Sequence, residues 1–313
     1  MNYSKCPDNL SNVKEFYILG FQNPPALTSF VFLLFCAIYT VTVTGNILII
    51  FTVSMNNCLH LPMYFFLCNL SFLEIWYVTT TIPAMLGGLV TRGNTFSLTS
   101  CISQWYLFAS LAVIECFLLT VMSYDRYLAI CYPLRYSTLM GQRLCLQLTV
   151  SMWILGFIPS TITLLFLCHL QFFDHNEIDH FFCDIMLILK SVCSDASSAE
   201  SEVFLLSLFV TAIPFFCIIV SYAHIITAII KIPSTIGRHK AFSTCSSHLA
   251  VVMMYFGTMI TLYVAPTEDQ SLNLNKALSL LYTVATPMLN PIIYTLRNKD
   301  ILEAMRKTIR KWM

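Results

Sequence analysis

Residues 122–136 read MSYDRYLAICYPLRY. An acidic and a basic side chain, Asp125 and Arg126, stand together where a long apolar run ends. Such a pair is conspicuous in a chain of 313 residues that is 57% hydrophobic and 11% charged. A mean hydropathy of +0.73 does not suit a soluble domain of this size. Seventeen basic and sixteen acidic residues cannot clothe its surface. The apolar residues instead fall into blocks long enough to cross a bilayer, which takes about 20 residues as a helix. Seven such stretches lie near 26–53, 61–90, 98–124, 144–168, 203–230, 241–267 and 277–296. They are apolar all round, without the polar stripe of a soluble bundle. The reading is an all-α membrane protein, a single domain of seven transmembrane helices.

Seven spans put the termini on opposite sides and sort the loops into two sets. One carries twelve Lys and Arg, namely Arg126, Arg135, Arg143, Lys231, Arg238, Lys240, Arg297, Lys299, Arg306, Lys307, Arg310 and Lys311. The other carries five: Lys5, Lys14, Arg92, Lys190 and Lys276. The positive-inside bias then predicts an extracellular N-terminus and a cytoplasmic C-terminus in a multi-pass cell-membrane protein. Residues 1–25 lack the apolar core of a signal peptide, so the first span is expected to direct its own insertion. Asn2-Tyr-Ser and Asn9-Leu-Ser are candidate glycosylation sequons on the outer tail. Five of thirteen cysteines, Cys6, Cys101, Cys168, Cys183 and Cys193, fall on the outer side, where disulfides persist. Four of them flank or occupy the loop 169–200, which allows two bridges in three connectivities. The net charge of +1 says little by itself, and no nucleic-acid partner is expected. After the seventh span, Ile301, Met305, Ile309 and Trp312 recur at helical spacing, with Arg306, Lys307, Arg310 and Lys311 largely opposite. That pattern suits a short amphipathic helix lying on anionic membrane lipid.

Two acids lie deep in the apolar blocks, Glu74 in the second and Glu115 in the third. Intramembrane ionisable groups are costly and are functional suspects by default. Each lies about half-way along its span, and Asn46, Asn69 and Asn290 are further polar residues near that depth. Two close carboxylates cannot cheaply both ionise, so a proton is retained or a cation sits between them. An internal ion site and a hydrogen-bonded glue network are both consistent with this set. A transporter coupled to ions or protons through Glu74 and Glu115 is the competing function. No inverted pair of broken hydrophobic segments supports it. His180-Phe-Phe-Cys183-Asp184 is too poor in ligands for a transition-metal site.

Several stretches together resemble the rhodopsin-like G-protein-coupled receptors, and within them the olfactory receptors. They are GN at 45–46, LHLPMYFFLCNLSFLE at 59–74, MSYDRYLAICYPLRY at 122–136, SY at 221–222, KAFSTCSSHL at 240–249 and PMLNPIIYTLRN at 287–298. The resemblance implies that Asp125 holds Arg126 at rest and releases it to the G protein on activation, with Tyr127 completing the triplet. It implies that Tyr222 and the Asn290-Pro291-x-x-Tyr294 motif support the activated state. It pairs Cys101 with Cys183 and Cys168 with Cys193, leaving Cys6 unpaired. Glu74 stands where similar receptors bind sodium, and Glu115 is an acid typical of olfactory receptors, so a sodium ion between them is reasonable. No other cofactor, metal or catalysis is implied. The implied partner is a heterotrimeric G protein of the stimulatory olfactory type, which raises cyclic AMP.

Trp105, Phe108, Ala109, Ala112 and Val113 form one face of the third span at i, i+3, i+4, i+7 and i+8. By default such a stripe is packing; in a receptor of this type it lines the ligand cavity. Ser207, Val210 and Thr211 of the fifth span, Met259, Ile260 and Tyr263 of the sixth and Thr283 of the seventh are expected to join it. No acid lies near Phe108 and no Lys or Arg faces this set. The expected ligand is a small, neutral, lipophilic odorant that exchanges one hydrogen bond with a hydroxyl.

Overall fold

The computed structural model describes residues 15–21, 24–172, 177–192, 195–264, 272–297 and 299–312. Asn2, Asn9, Cys6 and Cys193 lie outside them. Five long helices carry the first five spans: α1 (Pro25–Met55), α2 (Pro62–Thr91), α3 (Leu98–Cys131), α5 (Gln142–Leu167) and α7 (Ser197–Ile230), with α4 (Tyr136–Leu139) and α6 (Ile185–Lys190) as short turns between them. The sixth span is α8 (Thr235–Met259) continued by a π-helical turn, Ile260–Val264. The seventh is α9 (Leu272–Leu280), a second π turn at Leu281–Ala285, and α10 (Thr286–Arg297), after which α11 (Lys299–Trp312) turns away. Seven of these segments are long and apolar enough to cross a membrane.

Local chemistry sets the helix starts. Proline opens α1 and α2 at Pro25 and Pro62, where its missing N–H costs nothing. Ser97 and Ser234 cap α3 and α8 by accepting the amides of Ser100 and Gly237. The break in the seventh span has a local cause as well. Pro287, in the first turn of α10, has no amide to close an ordinary helical bond. The Thr286 amide bonds instead to the Leu281 carbonyl, five residues back, and this widens the turn.

A three-stranded sheet covers one end of the bundle, in the order β2-β1-β3. β1 (Glu15–Ile18) pairs antiparallel with β2 (Asn94–Ser97) and parallel with β3 (Glu177–Ile178). Arg92 and Gly93, both with positive φ, turn the chain from α2 into β2. A Cβ on Gly93 would stand 2.4 Å from the Tyr17 hydroxyl, so only glycine fits there. Phe16 and Ile18 bury one face of β1 over Leu167, Ile178 and Ile188. The sheet is stapled to the seventh span by Lys276, whose Nζ meets Asp179 Oδ1 at 2.5 Å and the Gly20 carbonyl at 3.4 Å. At the opposite end, Ile301 and Ala304 of α11 are buried in the main core.

Candidate functional site

Beneath the sheet, α3, α5, α6, α7 and the π turns of the sixth and seventh spans surround a cavity. The space between these residues is about 680 Å³ with its open mouth included. Trp105, Phe108, Ala109, Ala112, Val113, Ser207, Val210, Thr211, Met259 and Tyr263 all line it. Ile260 and Thr283 do not. Thr283 is fully buried behind the wall, its hydroxyl donating to the Ser279 carbonyl at 2.6 Å, and Tyr282 lines the cavity in its place. Thr283 lies in the π turn at Leu281–Ala285, and Ile260 opens the other π turn. The fourth span, not expected here, contributes Pro159, Ser160 and Thr163.

The cavity also holds an acid that the sequence did not place there, Asp184. Asp184 follows the bridged Cys183 and caps α6, accepting the Met186 amide at 2.9 Å on Oδ1. Its Oδ2 accepts the Tyr263 hydroxyl at 2.8 Å, and Tyr263 lies 2.8 Å from the Tyr282 hydroxyl. Burial pushes the Asp184 carboxyl above its ordinary range, against the lowering effect of Tyr263, the α6 amides and Lys190. Its neighbour on the loop, His180, packs against Phe181 and Phe182. Burial, with the Lys276 charge, drives that imidazole down to about 3. The Cys101–Cys183 bridge holds this loop on α3. Cys168, at the cap of α5, carries an exposed free thiol, contrary to the expected bridge with Cys193.

Phe108 connects the cavity to the polar centre of the bundle, its ring 5.7 Å from Tyr282, 4.9 Å from Phe182 and 4.7 Å from Tyr77. Glu115 acts electrostatically on Tyr77 and on Glu74, so the two acids share one neighbourhood. Asn290 donates to Glu74 Oε1 at 2.5 Å, and Asn46 lies beside the same carboxyl. Among the described residues, five oxygens in this set lack a hydrogen-bond partner: Glu74 Oε2, both of Glu115, and the amide oxygens of Asn46 and Asn290. Buried oxygens are normally satisfied, and a cluster of unpaired carboxylate and amide oxygens fits a hard cation. Asn69 belongs elsewhere; its amide oxygen accepts Trp153 Nε1 at 3.4 Å.

At the end away from the sheet, the expected hold of Asp125 on Arg126 is not seen. Asp125 Oδ1 accepts the Tyr136 hydroxyl at 2.7 Å, and among the described residues Asp125 and Arg126 form no ion pair. Arg126 acts electrostatically on Asp125, and also on Tyr222, Cys245, His248 and Tyr294, across α7, α8 and α10. Tyr222 and His248 are joined by a 2.7 Å hydrogen bond, an α7–α8 tie not foreseen in the sequence. Tyr127 packs its ring 5.8 Å from His224 rather than beside Arg126. Pro291 is buried in α10, 3.6 Å from where a Cβ on Gly45 of α1 would stand.

A seven-helix membrane bundle, with an apolar cavity at one end and an arginine facing three helices at the other, has the layout of a receptor. The olfactory receptor family model matches residues 35–311. Human olfactory receptor 11L1 is 47% identical over 305 residues, covering 97% of this chain and 95% of that protein. Mouse olfactory receptor 6B9 is 45% identical over 302 residues, covering 96% of each chain. Human olfactory receptor 6P1 is 47% identical over 303 residues, again 96% of each. The chain belongs to the olfactory receptor family of G-protein-coupled receptors, and is a multi-pass membrane protein. That family is not one of enzymes.

Proposed function

We propose that this receptor lies in the cell membrane with its N-terminus outside, and binds a small, neutral, lipophilic odorant in the cavity beneath the sheet. Binding activates a stimulatory olfactory-type heterotrimeric G protein and raises cyclic AMP. The observation that carries this reading is the cavity wall, apolar and aromatic with a few hydroxyls and closed over by the bridged loop. Odorant packed on Phe108 biases the contacts of α3 with α8, where Tyr255 donates to the Ala112 carbonyl at 2.7 Å. A ligand shifts an equilibrium only by its differential affinity for the two states. At the far end Arg126, not ion-paired with Asp125, is the group that meets the G protein, with Tyr222, Asn290, Pro291 and Tyr294 supporting that arrangement.

Glu74 and Glu115, with Asn46 and Asn290, are proposed to hold a sodium ion that favours one of the two states. A transporter reading of these acids has less support, since the same chain carries the receptor cavity and the arginine end. The test is cyclic AMP in cells expressing the receptor with an olfactory-type G protein, across neutral, acidic and amine odorants. Neutral odorants are expected to activate, and Arg126→Ala at equal surface expression to abolish the response. A response that survives in Arg126→Ala would refute the role given to this end.

A further inference from the structure

The polar pole of the cavity has a direction. Tyr263 has one hydroxyl proton and gives it to Asp184 Oδ2. In the 2.8 Å contact between the tyrosines, Tyr282 is therefore the donor and Tyr263 the acceptor. Both protons run toward the carboxylate, so what faces the cavity from Asp184, Tyr263 and Tyr282 is acceptor lone pairs. Nor do the threonines of the wall offer protons: Thr163 donates to Glu202 Oε1 at 2.9 Å and Thr211 to the Ser207 carbonyl at 2.6 Å. Ser160 and Ser207 can donate or accept, and so select neither kind of ligand.

The carboxylate itself is only partly satisfied. An ionised carboxylate has about four acceptor sites. On Asp184 the Tyr263 hydroxyl and the Met186 amide account for two, while the Leu187 amide donates to the Asp184 backbone carbonyl at 3.2 Å. Two sites are left, in a group that is 8% exposed and lines the cavity. The two donors, the start of α6 and nearby Lys190 offset part of its charge. A neutral hydroxyl, with no charge of its own to desolvate, therefore suits the open sites better than a cation. A ligand with only an acceptor, such as an ether or ketone, would face unpaired lone pairs here, and that juxtaposition is costly in a buried site.

The geometry points to Asp184 as the specificity-determining residue of this cavity, selecting neutral hydrogen-bond donors, namely lipophilic alcohols and phenols, over their ethers and ketones. This rests on the cavity being the odorant site. The experiment uses medium-chain alcohols and phenols, each with its methyl ether and corresponding primary amine, in cyclic AMP dose–response curves of the surface-expressed full-length receptor. Alcohols are expected to exceed their ethers by about tenfold in potency. Asp184→Asn keeps an acceptor for the α6 cap but adds an amide donor, and should bring each pair within about twofold. Tyr263→Phe, which frees a further carboxylate site, should keep or widen the preference. Equal potency within wild-type pairs, amines as the strongest agonists, or a ratio unmoved by Asp184→Asn would each overturn the assignment while leaving the odorant reading intact. Wild-type silence to every compound at the cell surface would instead overturn both.

Discussion

Tyr136→Phe separates two accounts of the arginine end. In the structure the Tyr136 hydroxyl, not Arg126, occupies Asp125. Deleting that hydroxyl leaves an Asp125 carboxylate that is 2% exposed short of a charge-assisted hydrogen bond of 2.7 Å. Such bonds are worth about 1.5–3 kcal/mol. Tyr136 is itself half-buried, which favours the lower end, about 1.5 kcal/mol. The nearest replacement partner is Arg126, one residue along the chain, so the lost bond favours a state in which Asp125 recaptures it. At about 1.4 kcal/mol per factor of ten, the equilibrium moves roughly tenfold away from the arrangement with Arg126 free. Ligand-independent cyclic AMP, measured at matched surface expression, should therefore fall, and the dose–response curve of any agonist should move to higher concentration. Basal signalling that is unchanged or raised in Tyr136→Phe would refute the reasoning, because Tyr136 would then not compete with Arg126 for Asp125.

Gly156 of α5 lies against Ile114 of α3, and a Cβ there would meet Ile114 Cγ1 at 2.2 Å. Gly156→Ala should cost about 1–3 kcal/mol of stability by overpacking, and less in an Ile114→Ala background, so a double-mutant cycle by thermal unfolding should be non-additive. His180, held neutral with its pKa at about 3 against 6.5 ordinarily, contributes stability that is present above pH 6.5 and lost as pH falls toward 3. The slope from this site is about 1.4 kcal/mol per pH unit within that window; His180→Phe should flatten the acid limb of a melting-temperature profile. Sodium at ten times its dissociation constant should stabilise the purified receptor by about 1.4 kcal/mol over choline at equal ionic strength. Glu115→Gln should remove that difference if the unpaired oxygens around Glu74 are the ion's ligands.

The number of spans, their approximate limits and the stripe on α3 were legible because an apolar block and a regular helical period are local properties. Thr283 and Ile260 were misplaced in π turns, which no local pattern announces. The π turn at Leu281–Ala285 exchanges Thr283 for Tyr282 at the cavity, and its cause combines Pro287 with the bond that the Thr286 amide finds five residues back. Asp184 was missed because its place in the cavity comes from the fold of a loop, held by the Cys101–Cys183 bridge and the α6 cap, and no periodicity records that. The hold of Tyr136 on Asp125 was likewise out of reach, since it comes from α4, beyond the end of the third span. A sign for Asp184 was present all the same: an acid next to the bridged cysteine, just before the apolar run Ile185–Lys190.

The central claim, that odorant acts from the cavity beneath the sheet, is tested most directly by filling it. Ala112 is 4% exposed and lines the wall, so Ala112→Trp places an indole in the ligand's space. The measurement is the cyclic AMP dose–response to the strongest odorant agonist, with basal signalling and surface expression recorded alongside. Loss of potency by tenfold or more, about 1.4 kcal/mol, with basal signalling retained is the predicted result. An unchanged dose–response curve would place the odorant elsewhere and contradict the account.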